Sequence, residues 1–349
     1  MEKYEELYNK VSKIVNPVYL VGGSVRDILL GREPKDYDFT TPIFPDEIEK
    51  LVRAAGKRAY LIGKKFGTIG CKIDGEFVEI TTFRQEQYSK NNRKPQVDFV
   101  QNIENDLKRR DFTINAMAWK NGDLIDLFDG QKDLKNKMIR SVGNPQERIK
   151  EDPLRMLRCA RFMSQLNFEV EPNLEEKIKE NSFRILFISR ERWMMELDKI
   201  LLSENPEIGL NFMMKNRLFN YIIPELSLQY KYDQNSPYHD FDLWIHTLKT
   251  VMATPKDIIL RWAALLHDIG KPFVRTDKTD RSNYIHHALL GAEIADKIAY
   301  QLKWSKDRKK AVLEIVKNHL DKDSPLKKYD DVSKKNKFQV QTGESQNKL

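Results

Sequence analysis

Cysteine is nearly missing from this sequence: Cys71 and Cys159 are the only two in 349 residues. Two thiols cannot build a disulfide framework, and their scarcity fits a reducing compartment. No apolar run reaches membrane-spanning length, and the opening Met-Glu-Lys-Tyr-Glu-Glu is not a secretory signal. The expectation is a cytoplasmic protein with no membrane and no protein partner. Charge is what the chain has in quantity. Charged residues make up 32% of it and the formal net charge is +8, which favours a polyanionic partner without fixing one. The length leaves room for two or three domains.

The most informative stretch is Tyr19-Leu-Val-Gly-Gly-Ser-Val-Arg-Asp-Ile-Leu-Leu-Gly31, followed by Lys35-Asp-Tyr-Asp-Phe-Thr40. A short β-branched run enters a two-glycine turn, Gly22-Gly23, that opens a helix through Ser24 and Arg26. Backbone N–H groups and the positive helix end then face a phosphate-sized anion. Asp36 and Asp38 lie two apart in a strand-like segment, so both carboxylates share a face. Carboxylates paired beside a phosphate site point to Mg²⁺ held against a triphosphate. The whole string resembles the signature of the nucleotidyltransferase branch that contains class II CCA-adding enzymes and bacterial poly(A) polymerases.

Further along, Thr68 to Ile73 and Glu76 to Phe83 flank Asp74-Gly75, a hairpin signal. The two-residue turn fixes the register: Ile69, Cys71, Ile73, Val78 and Ile80 share the core face, and Glu79 points the other way. Alone, Glu79 reads as a solvent-facing acid. The resemblance implies a third acidic residue before a Thr-Phe-Arg segment, here Thr82-Phe83-Arg84, and so makes Glu79 an auxiliary of the metal site. The polar stretch from Gln85 to Gln101 reads as a loop. Arg110-Asp111-Phe-Thr-x-Asn115 combines a guanidinium fork suited to phosphate with side chains able to bond a ribose hydroxyl. By the same resemblance, Arg110, Asp111 and Asn115 recognise ribose and phosphate.

From about residue 145 the patterns become helical. Glu151, Arg155 and Arg158 recur at helical spacing with Asp152 beside them, which predicts one polar stripe on one helix. The stripe resembles the family's Glu-Asp-x-x-Arg motif, in which side chains stand in for a nucleic-acid template. A carboxylate accepts from the exocyclic amine of C or A, and an arginine donates to the adjacent ring nitrogen. Asp152 and Arg155 would thus admit C and A and reject U and G, with Arg158 reaching toward the triphosphate. Glu191, Arg192 and Glu196 resemble the last neck motif and are read as braces.

Five of the six histidines gather in four stretches near the end of the chain. His246, His267-Asp268, His286-His287 and His319 lie along four predicted helices, a pattern resembling the HD phosphohydrolase superfamily. That resemblance implies a divalent metal on His246, His267, Asp268 and His287, with His319 near substrate.

The fold expected is α+β: a mixed α/β nucleotidyltransferase head at 1–143, a helical base-selecting neck at 144–205, a helical body with the HD site at 206–325, and a basic, partly disordered tail at 326–349. The expected reaction is template-independent addition of CCA to tRNA from CTP and ATP, with Asp36, Asp38 and Glu79 as the catalytic carboxylates. A poly(A) polymerase or A-adding enzyme, and an HD-type RNA-end phosphohydrolase, remain as alternatives.

Overall fold

The computed structural model describes residues 3–87, 96–237 and 240–333, and the chain forms two compact units. The first comprises residues 1–155 and 168–178, the second 156–167 and 179–349.

In the first unit, helix α1 (Lys3–Ile14) precedes β1 (Tyr19–Val21), α2 (Gly23–Leu29), β2 (Tyr37–Thr41), α3 (Pro45–Ala54), β3 (Ala59–Tyr60), β4 (Thr68–Ile73) and β5 (Glu76–Thr82). Strands β6 (Arg84–Gln87) and β7 (Gln96–Phe99) pair as a separate antiparallel ribbon, followed by α4 (Ile103–Lys108), β8 (Met117–Lys120) and β9 (Asp123–Asp126). The ribbon corrects the expected 85–101 loop at both ends, while residues 88–95 at its centre lie outside the described residues. Seven strands form one sheet in the order β3-β4-β5-β2-β1-β8-β9.

The Asp74-Gly75 turn sets β4 against β5 in the expected register, with Cys71 opposite Val78 and Ile69 opposite Ile80. Asp74 and Gly75 both take positive φ, as a tight hairpin turn requires. That register buries Ile69, Cys71, Ile73, Val78 and Ile80 completely or nearly so. Helix α1 contributes Leu7, Tyr8 and Val11 to the core, and α3 starts on Pro45 and contributes Ile48 and Val52. Burying such aliphatic side chains stabilises the sheet by about 1.5–3 kcal/mol each before chain entropy is counted. The opposite face of β5 carries Phe77, Glu79 and Thr81.

The unit continues through α5 (Gly130–Lys135), strand β10 (Met138–Ile139) and α6 (Pro145–Glu151). Helix α7 (Arg155–Leu166) begins after a break at Asp152-Pro153-Leu154, and β11 (Glu169–Val170) returns to pair in parallel with β10 before α8 (Pro172–Glu180).

The second unit is helical: α9 (Arg190–Leu201), α10 (Pro206–Lys215), α11 (Phe219–Ile222), α12 (Pro224–Ser227), α13 (Leu243–Ala253), α14 (Ile258–Leu266), α15 (His287–Gln301), α16 (Lys306–Lys317) and α17 (Lys327–Ser333). A small ribbon, β12 (Thr276–Asp277) with β13 (Ser282–Asn283), links α14 to α15. Helix α17 corrects the expected tail over 327–333. Leu326, Asp330 and Ser333 recur at helical spacing and are all at most 2% exposed, so this short segment has one face to bury despite its lysines. Residues 334–349 lie outside the described residues.

Candidate active site and metal centre

Strand β1 delivers the chain to Gly22, whose φ of +71° suits glycine and whose N–H donates to Met117 O on β8 at 3.3 Å. Space also demands glycine: a Cβ on Gly22 would sit 2.8 Å from Arg110 Nη1 and 4.0 Å from Asp38 Oδ2. The cradle, the strand carboxylate and the ribose-motif arginine therefore meet at one point.

Ser24 ties the cradle to the carboxylates. Its hydroxyl donates to Asp36 O at 3.0 Å and accepts from the Asp38 N–H at 3.1 Å. Asp36 lies in the bend just before β2 and Asp38 within the strand. Asp38 on β2 and Glu79 on the parallel neighbour β5 are direct register partners, so their side chains leave the same face of the sheet. Burial raises the pKa of Asp38, and Asp36 adds to that while Arg110 opposes it. Glu79 is raised by burial and by the charges of Asp38 and Asp36. Mutually repelling carboxylates of this kind are relieved by a cation.

The donor set fits Mg²⁺, which keeps few protein ligands and completes its shell with water and phosphate oxygens. Among the described residues, three or more metal-ligating atoms close to within 4.8 Å of one another only in the second unit, so the head offers an open site rather than a closed cage.

The ribose motif forms a linked chain. Arg26 Nη1 donates to Asn115 Oδ1 at 2.7 Å, and Asn115 Nδ2 donates to Asp111 Oδ1 at 3.2 Å, which also accepts the Phe112 N–H. Arg110 is held by Asp106, which reading of the sequence passed over. Asp106 is fully buried and takes Arg109 at 2.7 Å and Arg110 at 3.2 Å. Burial raises its pKa, but the two guanidiniums outweigh that and hold it below the usual carboxylate range. The signal available was its i,i+3 and i,i+4 spacing to two arginines.

The base-selecting stripe departs from expectation. Glu151 closes α6 and Arg155 opens α7, because Pro153 removes a helical N–H donor and Asp152 is extended at φ −136°. Asp152 accepts the Leu154 N–H at 3.1 Å. The Arg155 guanidinium, nearly buried, reaches Glu151 at 3.2 Å, Arg148 O at 3.2 Å and Arg109 O at 2.9 Å. Thus Arg155 fastens the neck motif to the backbone of the ribose motif. Arg158 belongs to the second unit, where it lies 5.5 Å from the Phe162 ring. There Glu196 braces α7 through Arg161 at 3.0 Å, both nearly buried, while Glu191 and Arg192 are exposed.

The histidines of the second unit gather as two groups that share Asp268: His246, His267, Asp268 and Asp330, and Asp268, His287 and His319. His287 groups with Asp268 and His319 but not with His246 and His267, beside which Asp330 takes the fourth place. Asp330 was assigned to the tail because its lysine-rich surroundings hide the buried face of α17.

Three rings donate Nδ1–H to a carbonyl three residues back: His267 to Ala264 at 2.8 Å, His287 to Tyr284 at 2.6 Å and His319 to Val316 at 2.8 Å. Their Nε2 atoms converge, with His246 and His267 3.1 Å apart and His287 and His319 3.3 Å apart. Buried Asp268 Oδ2 has no well-directed hydrogen bond, though Lys271 Nζ lies 2.7 Å away. Facing lone pairs around such an oxygen are a donor set for a divalent cation.

Burial lowers the pKa of His267, but Asp268 and Asp330 outweigh it and raise it to about 9. Proton and cation therefore compete for the same nitrogens. Asp268, Lys271, His287, His319 and Asp330 also line a cavity of about 470 Å³ with Arg281 and Tyr284.

Three family models match the sequence: "Poly A polymerase head domain" over residues 18–140, "Probable RNA and SrmB- binding site of polymerase A" over 167–229, and "HD domain" over 244–338. These matches make the chain similar to the poly(A) polymerase and CCA-adding enzyme family. It is 44% identical over 217 residues to a CCA-adding enzyme of Ligilactobacillus salivarius, covering 62% of this chain and 53% of that protein. A Staphylococcus haemolyticus CCA-adding enzyme is 40% identical over 259 residues, covering 71% and 64%. The alignments with the most similar curated relatives thus span about half of those proteins' length.

In structure, the Bacillus stearothermophilus CCA-adding enzyme in complex with CTP superposes with a TM-score of 0.66 at 25% identity, over 95% of this chain and 82% of that one. A tRNA nucleotidyltransferase complexed with a primer tRNA and an incoming ATP analog gives 0.56 at 26% identity, over 89% and 82%. The expected mixed α/β head with a helical remainder is the fold observed. Among the described residues, no helix is long and apolar enough to cross a membrane.

Proposed function

We propose that this chain adds CCA to the 3′ end of tRNA from CTP and ATP. The observation that carries the reading is the meeting of Gly22, Asp38 and Arg110, with Glu79 in register beside Asp38 and Asp36 tied in through Ser24. Asp36 and Asp38, assisted by Glu79, would hold Mg²⁺, which supplies charge neutralisation at the triphosphate and acidifies the attacking hydroxyl. Gly22, Gly23 and the start of α2 turn backbone donors to the phosphates, and Arg110 adds a cationic fork on the same side. Arg26, Asp111 and Asn115 form the hydrogen-bonded wall at which a ribose is bound. The RNA 3′-hydroxyl attacks the α-phosphorus, the bond to the bridging oxygen breaks, and pyrophosphate leaves with its electron pair.

Base choice is assigned to Asp152 and Arg155. Asp152 offers an acceptor for the exocyclic amine of C or A. Arg155 both holds Arg109 O in register and turns its remaining donor capacity to the base. A wrong base that leaves a buried polar contact unmatched costs about 1–3 kcal/mol.

The deciding experiment supplies Mg²⁺, tRNA lacking CCA, and labelled CTP and ATP singly and together, with products resolved at single-nucleotide length. Extension by C, C and A and then arrest is the expected result. Long A tracts would move the function to polyadenylation.

The convergence of histidine Nε2 atoms favours a second activity in the second unit, hydrolysis of phosphate or cyclic phosphate at RNA ends. Release of phosphate from such ends that survives Asp38→Asn and is lost in Asp268→Asn is the outcome expected there.

A further inference from the structure

His246 differs from the other three clustered histidines in one respect: the partner of its Nδ1 is not a carbonyl of its own segment. That partner is Ser333 Oγ at 3.0 Å, 87 residues further along and on α17. Ser333 is 2% exposed and lies 2.6 Å from Asp330 O and 2.8 Å from Thr250 Oγ1.

Hydroxyl arithmetic settles the direction of these bonds. Ser333 has one proton, and the 2.6 Å contact with Asp330 O requires it, since a carbonyl oxygen cannot donate. The Thr250 hydroxyl has a carbonyl acceptor of its own in His246 O at 3.0 Å. Ser333 Oγ must therefore accept from His246 Nδ1–H, which leaves the His246 Nε2 lone pair facing His267 and Asp330 at 3.1 Å each.

From this geometry, and resting on the metal-centre reading above, we propose that Ser333 is a positioning residue of that centre. It fixes the tautomer and ring orientation of His246 without touching the ion. The helix that supplies the carboxylate Asp330 also supplies this tether, through residues one helical turn apart. Cation binding and docking of α17 on α13 are consequently linked: an ion that needs both Asp330 and a correctly oriented His246 holds the helix down, and a released helix weakens the site from two directions.

The test titrates the full chain with Co²⁺, followed by its d–d absorption, with Asp268→Asn marking the signal that belongs to this cluster. Ser333→Ala is expected to weaken the cluster's binding about 10- to 100-fold, the range found when the outer partner of a metal-bound histidine is removed. In the Zn²⁺-loaded full chain, ¹⁵N-edited NMR should show the His246 Nδ1 proton as a slowly exchanging downfield resonance that disappears in Ser333→Ala. Amide exchange within 327–333 should slow on Zn²⁺ addition in the wild type and respond less in the variant.

Equal Co²⁺ affinity in the wild type and Ser333→Ala overturns the positioning role. So does a His246 ring protonated at Nε2 instead of Nδ1. Titration curves that coincide for the wild type and Asp268→Asn overturn the metal-centre reading itself, and the role of Ser333 with it.

Discussion

At the scale of single residues, the head depends on two positions where the alternatives are physically closed. Gly22 combines a positive φ with a Cβ position that Arg110 already occupies. Gly22→Ala would cost about 1–2 kcal/mol of backbone strain, and the methyl would push the Arg110 guanidinium away from Asp38. The head should still fold, because an arginine end can move, but nucleotide binding should weaken. Steady-state assays should show the KM for CTP raised about tenfold or more, with a small change in melting temperature.

Asp106 is the complementary case, a buried charge whose loss is structural. Asp106→Asn strands Arg109 and Arg110 and should destabilise the first unit by about 3 kcal/mol in urea denaturation. Its depressed pKa fixes the pH dependence. The stabilisation is present above the carboxylate's unfolded pKa and is lost as pH falls through the lower folded value. The gap between wild type and variant should therefore be widest near neutrality and close in acid.

At the scale of elements, much of the head could be read directly, because its signals are local and mutually reinforcing. The Asp74-Gly75 turn dictates a register, the register dictates two faces, and the faces separate Ile80 from Glu79 without any long-range knowledge. What could not be read was set by tertiary contact. Helical spacing from Glu151 to Arg158 suggested one continuous helix, yet Pro153 divides it, and Arg155 donates to carbonyls of Arg148 and Arg109 that only the fold brings near. Asp330 was hidden for the opposite reason: its local composition is basic and polar, and its buried face exists only because α13 lies beneath it.

The α6–α7 break makes Arg155 a joint between motifs, which separates two substitutions. Arg155→Ala should relax discrimination against UTP and GTP about tenfold and should also lower stability, since the carbonyls of Arg148 and Arg109 lose a donor. Arg155→Lys keeps one charge but not the fork, so it should recover part of the stability and little of the base choice. Single-nucleotide incorporation assays, run beside thermal denaturation, distinguish the two contributions.

At the scale of the whole molecule, the chain contains two sites of different construction. The head is an open arrangement of carboxylates that repel one another and that, in the proposed reaction, would need a nucleotide to complete a metal's shell. The second unit carries a nearly closed set of nitrogens and carboxylates, buried and convergent, which could hold an ion without a substrate. Cation dependence should therefore differ between the units.

An ion that binds the folded form alone stabilises it by about 2.7 kcal/mol at a concentration of 100 times Kd. Mn²⁺ or Co²⁺ in that excess, without nucleotide, should raise the unfolding temperature of the second unit by several degrees and leave the first nearly unchanged. Addition of EDTA should reverse the shift, and Asp268→Asn should abolish it. For Asp38→Asn the opposite pattern is expected: CMP and AMP transfer reduced about 10³-fold or more, equivalent to about 4 kcal/mol of transition-state stabilisation, with the cation-dependent shift intact. Differential scanning calorimetry of the two variants, alongside the tRNA extension assay, measures both. Loss of the calorimetric shift in Asp38→Asn would mean that the ion sits in the head and that the histidine cluster does not bind it.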